Sequence, residues 1–210
     1  MRLRILEWLF FASGFAALLY QVIWQRTLFA IYGINVEAVT MIVTAFMVGL
    51  GVGSLAGGVA SRNPARKTAL WFAAAEGSIG VYGLVSLPLF QWIGSATLAS
   101  SPVAVALITF ALILLPTTMM GATLPLLIAH FTRQNKSVGE SVGTLYHMNT
   151  LGAAAGALAA GIALPVWFGQ AGTLRVAAFF NFLASAFALR EHLRSTRARS
   201  AGRGRARHAR

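Results

Sequence analysis

Long apolar runs separated by short polar breaks limit what this chain can fold into more than any other feature of it. A helix needs roughly 20 mostly apolar residues to cross a hydrocarbon core. Runs of sufficient length stand near 5–31, 36–60, 68–94, 103–130, 143–166 and 172–192. The breaks between them read YGIN, SRNPARK, IGSATLASSP, FTRQNKSVGES and FGQAG. The first run follows MRLR, as a secretory leader would, but a leader's apolar region spans only about 7–15 residues. A longer run followed by further spans reads as an uncleaved first helix. Charged residues make up 10% of the chain, against about a quarter in a soluble domain. The expected fold is an all-α integral membrane protein, a six-helix transmembrane bundle over residues 1–193, with a disordered basic tail over 194–210.

Charge then orients the spans. Five acidic residues face seventeen basic ones, none of the acids is an aspartate, and the net charge is +12. A nucleic-acid partner would be one use of that excess, but the basic residues sit between or after the apolar runs, where membrane-surface charge belongs. Arg2 and Arg4 precede span one, Arg62, Arg66 and Lys67 follow span two, and Arg133 and Lys136 follow span four. Eight arginines from Arg190 to Arg210 follow span six. With six spans these all fall on one side, leaving only Arg26 and Arg175 elsewhere. The positive-inside rule makes that side the cytoplasm, with both termini there. The expected membrane is the bacterial inner one. Anionic headgroups are the expected partner of the tail, attracted by roughly 1 kcal/mol per basic residue; an acidic soluble protein is the alternative.

The second and fifth spans repeat one another. GLGVGSLAGGVA begins at Gly49 and GAAAGALAAGIA at Gly152, with identities at Gly49/Gly152, Gly53/Gly156, Leu55/Leu158, Ala56/Ala159, Gly58/Gly161 and Ala60/Ala163. Segments three spans apart cross a membrane in opposite directions. That is an inverted 3+3 repeat, as within each six-helix half of a major-facilitator transporter. Gly49, Gly53 and Gly57 stand four apart, as do Gly152 and Gly156, so each set places small residues on one helix face. Such faces let backbones approach closely, either within the chain or against a second subunit.

Five segments, in order, carry a resemblance. SGFAALLYQVIWQR, AFMVGLGVGSLAGG, AAAEG, LLPTTMMGATLPLL and VGTLYHMNTLGAAAGA together resemble the membrane region of fused major-facilitator/spermidine-synthase-like proteins. In that family a membrane domain precedes a cytoplasmic aminopropyltransferase-like domain. Here the residues after Leu193 read RSTRARSAGRGRARHAR, too short and polar for such a domain, and no aspartate serves an acidic polyamine site. The resemblance therefore implies the membrane module without the synthase activity. GGVASRNPARK, from Gly57 to Lys67, also resembles the loop between helices two and three of major-facilitator transporters. Ser61 stands there in place of that pattern's aspartate and Pro64 in place of its glycine.

Ionisable and amide groups inside spans are costly and face a partner or a watery cavity. Arg26 and Glu37 lie near the outer ends of spans one and two, where they could pair; Arg26 could instead snorkel to the interface. Glu76 lies roughly 12 Å inside span three at ~1.5 Å per residue. Asn149 lies at a similar depth in span five, with His147 nearby. Glu76, His147 and Asn149 are expected to form one cluster, either structural or handling a proton or cation. Gln21 and Gln25 share a face of span one, directed inward. Pro116, Thr117, Thr118, Gly121, Thr123 and Pro125 are expected to break span four. No catalytic nucleophile, metal-ligating cluster or cofactor loop stands out, and the absence of cysteine removes thiolate chemistry.

These features imply a non-catalytic membrane module, an anchor or small-molecule conduit working with a soluble aminopropyltransferase-like partner or a second copy. The alternative is a half-size transporter of small amines or organic cations acting as a dimer. The charge pattern makes a direct prediction. Reporter fusions after Lys67, Lys136 and Arg194 should report the cytoplasm, and fusions near Asn35, Ala99 and Gln170 the opposite side. A far-side signal at either internal basic loop would break the six-span reading.

Overall fold

The structure, a computed structural model, describes residues 3–33, 36–62, 68–97, 100–132 and 138–208. Among these every regular element is helical: α1 (Leu3–Tyr32), α2 (Val36–Ser61), α3 (Thr68–Ala96), α4 (Pro102–Thr132), α5 (Val138–Leu158), a π-helical turn (Ala159–Ala163) and α6 (Leu164–His208). Lipid offers the backbone no hydrogen bonds, so a spanning segment must satisfy its own, and helix is the form in which one segment can do so. Five helical stretches are long and apolar enough to cross a membrane, the last running from Val142 to Arg194. Two separate spans are expected over that last stretch. Two helices do meet there, at Gly169, whose backbone (φ 66°, ψ 179°) is non-helical. That conformation is open to glycine and strained for other residues. Beyond Arg194 the backbone stays helical to His208, where disorder is expected; alanine and arginine are good helix formers.

The contacts set the direction of each helix. Ser13 meets Glu76, Trp24 meets Ser86 and Tyr32 meets Thr97, so α1 and α3 run parallel. Gly152 approaches Phe11 and Gly156 approaches Phe15, so α5 runs parallel to α1. Tyr20 meets Asn181 and Thr27 meets Gln170, so α6 beyond Gly169 runs antiparallel to α1. The chain therefore turns back at Gly169. At the same end the Arg26 guanidinium donates to the carbonyl of Gly161 in the π turn, at 3.1 Å.

Close approach of backbones builds the bundle. A Cβ on Gly53 would fall on the Thr118 carbonyl oxygen, and one on Gly156 on the Phe15 carbonyl oxygen. Gly49 and Gly57 lie as tightly against Thr117 and Ala122 of α4, and Gly152 against Phe11. Around these seams Tyr20, Trp24, Phe10, Phe72 and Phe90 are fully buried, with the Tyr20 and Trp24 rings stacked at 5.0 Å between centroids. The outer surface is apolar, presenting Val52, Leu55, Val59, Leu107, Ile162 and Trp167, as a lipid-facing surface should.

Helix α4 is unbroken despite Pro116 and Pro125, which corrects the expected interruption. Pro116 cannot donate to the carbonyl of Leu112. The Tyr82 hydroxyl from α3 does so instead, at 2.6 Å. Thr117 and Thr118 return their hydroxyls to Ile113 and Leu114 within the same turn.

The glycine seams predict a pattern of tolerance. Gly53→Ala and Gly156→Ala should each destabilise the protein by ~1–3 kcal/mol, the usual cost of overpacking. Gly58 and Gly161 have open space where a Cβ would go, so the same substitution there should be neutral or stabilising. Thermal unfolding in detergent measures both; equal effects at all four positions would contradict the packing described.

Candidate functional site

Among the described residues, one buried carboxylate organises the polar interior. Glu76 on α3 is 0% exposed. The Ser13 hydroxyl of α1 donates to its Oε1 at 2.7 Å, and the Asn181 amide of α6 donates to its Oε2 at 2.6 Å. Asn181 in turn accepts the Tyr20 hydroxyl on its Oδ1 at 2.9 Å. Three helices thus meet on one carboxylate through neutral donors. Gly83 permits the arrangement, since a Cβ there would strike the Tyr20 ring.

A cavity of about 300 Å³ lies beside this network, and every long helix contributes to its wall. Ser13 and Asn181 belong both to the wall and to the carboxylate's coordination. Gln21, Ser54, Thr123, Tyr146 and Asn149 add further polar groups, while Phe46, Leu50, Ile79, Met120 and Leu124 make much of the rest apolar. An apolar chamber with a few convergent polar groups is the usual form of a small-molecule site. Among the described residues no lysine, arginine or histidine lines it.

The expected grouping of Glu76 with His147 and Asn149 does not form. Glu76 turns towards α6 and α1. Asn149 donates to the Phe10 carbonyl at 3.2 Å, and His147 is exposed on the outside of α5. Depth along a span can be counted from sequence, but the angle around the helix axis cannot. Asn149 does share the cavity with Ser13 and Asn181. Gln21 lines it too, whereas Gln25, half-buried one turn further along, does not. Arg26 is exposed and holds the Gly161 carbonyl. Glu37 lies on α2 but its side chain is outside the described residues, and so is the expected pairing with Arg26.

Asn181 and Ser13 are the site residues that sequence reasoning missed. Asn181 carried a signal, being the sole amide in the otherwise apolar stretch AAFFNFLASAF. Ser13 carried none, because serine is common in spans as a self-bonded residue. Among the described residues no group of acidic and histidine side chains is placed to hold a metal ion. No family model, curated protein or solved structure matches this chain.

The network predicts unequal costs at Glu76. Glu76→Gln can accept from Asn181 with its oxygen and donate to Ser13 with its nitrogen, so it should lower stability modestly. Glu76→Leu strands the 2%-exposed Asn181 amide, and each unsatisfied buried group costs ~1–3 kcal/mol. Unfolding of the two variants in detergent should rank them in that order; the reverse order would contradict the network.

Proposed function

We propose that this chain is a six-pass, non-catalytic membrane module that binds and passes a small polar solute through its central cavity. It sits in a bacterial inner membrane with both termini cytoplasmic, and works with a second copy or a soluble aminopropyltransferase-like protein. The observation that carries the reading is the cavity itself. Helices from the whole bundle converge polar side chains on one chamber within spanning segments, where such groups are costly unless used.

Six passes are supported by length and direction. The stretch Val142–Arg194 holds 53 residues, which at ~1.5 Å each is about 80 Å, far beyond the ~30 Å of a hydrocarbon core. The reversal at Gly169 divides it into two passes of ordinary length. The half-major-facilitator arrangement has support in the contacts. Gly53 meets Thr118 and Gly156 meets Phe15, and one residue offset carries Gly53 to Gly156 and Phe15 to Thr118. The repeat thus relates one contact of the α2–α4 seam to one contact of the α1–α5 seam.

A transport assay tests the conduit reading. Liposomes holding only this chain should accumulate labelled 1,4-diaminobutane above empty liposomes. Ala153→Trp, which fills the cavity wall, should remove most of that uptake, while Leu55→Ala on the lipid face should not. Absence of uptake, together with a soluble protein retained on the chain purified from native membrane, would overturn the conduit reading in favour of an anchor.

A further inference from the structure

We propose that Glu76 is the counter-charge for a compact monovalent organic cation in the cavity, and that each cation bound displaces one proton from its carboxyl group. This rests on the reading of the cavity as a solute site and names what that site takes and what it exchanges.

The charge inventory around the carboxylate leads to this. Both oxygens of Glu76 are held, yet each donor is neutral, a serine hydroxyl and an asparagine amide. Among the described residues, the elements packed on α3 offer no compensating cation nearby. On α1 the nearest titratable group is Tyr20, one hydrogen bond further out through Asn181. Glu7 lies about two turns from Ser13 towards the start of α1, and Arg26 lies at the other end of that helix, exposed. On α6 the nearest charge is Arg175, six residues from Asn181 and exposed. The described side chains of α4 carry no charge. An ionised carboxylate left in such surroundings is expensive; in the proposed site the carboxyl keeps its proton, shared with the Ser13 oxygen, until a positive charge arrives.

The cavity supplies the place for that charge. Ser13 and Asn181 form part of its wall and touch Glu76 directly. A cation resting on those two side chains sits one hydrogen-bonded group from the carboxylate. Tyr146, Asn149 and Gln21 offer neutral acceptors on other walls, and with no basic group among the described residues that line the chamber, an anion would find no charge partner there. The exchange balances simply. An ammonium ion and the protonated Glu76 carboxyl give a cation and a carboxylate bridged by Ser13 and Asn181, and one released proton, with no covalent bond made or broken besides O–H.

The test uses the purified full chain in weakly buffered detergent at constant ionic strength, with n-butylammonium chloride as the probe. Sodium butyrate and n-butanol serve as charge controls. Binding of n-butylammonium should release close to one proton per cation, read with a pH indicator. Its affinity should fall about tenfold for each pH unit lowered in the range where Glu76 holds its proton. Glu76→Gln should bind the cation at least tenfold more weakly and release no proton. The pH dependence of the unaltered chain decides the matter even if that variant fails to fold. Saturable binding without proton release, or butyrate and butanol binding as well as the cation, would overturn the exchange while leaving the cavity as a solute site. Failure of all three probes to bind would overturn the cavity reading and the exchange together.

Discussion

A backbone carbonyl within a bilayer has no water to turn to, and that constraint shows at two irregular points of this bundle. Where Pro116 frees the Leu112 carbonyl, Tyr82 reaches from α3 to take it. Where the π turn loosens the ladder, Arg26 reaches from α1 to Gly161. These are contacts between helices, made to satisfy groups that one helix alone leaves open. Irregularity thus ties the bundle together instead of loosening it, and α4 remains one helix through two prolines.

Close backbone approach is the second consequence of a lipid solvent. Leucine gains nothing by leaving lipid for another leucine, so association rests on packing. The glycines of α2 and α5 bring carbonyl groups of α4 and α1 within contact of their own helices. The cavity then lies between two tightly zipped pairs, α1 with α5 and α2 with α4, backed by α3 and α6. Rigid walls of this kind hold Ser13 and Asn181 in register with Glu76, which no single helix could position.

Much of the architecture was legible before any coordinates. The apolar runs mark the first four helices within a few residues, because length and hydrophobicity alone decide what can cross a bilayer. Asn149, Gln21 and Glu76 stood out as polar groups at depth. The expected cluster of Glu76 with Asn149 and His147 does not form, because α3 turns Glu76 onto α6 and α1, and azimuth depends on packing that only the assembled bundle defines. The turn at Gly169 was legible as the break FGQAG, but its tightness was not. The short polar break suggested two helices parted by a loop, whereas one glycine in a left-handed conformation reverses the chain with helix on either side.

If Glu76 serves the cavity beside it, infrared difference spectra of the purified chain, recorded with and without n-butylammonium, will show it. The cation should remove a protonated-carboxyl band, a carboxylate band should replace it, and Glu76→Gln should lack both changes. A difference spectrum in which the carboxyl region stays flat while the cation binds would contradict that role.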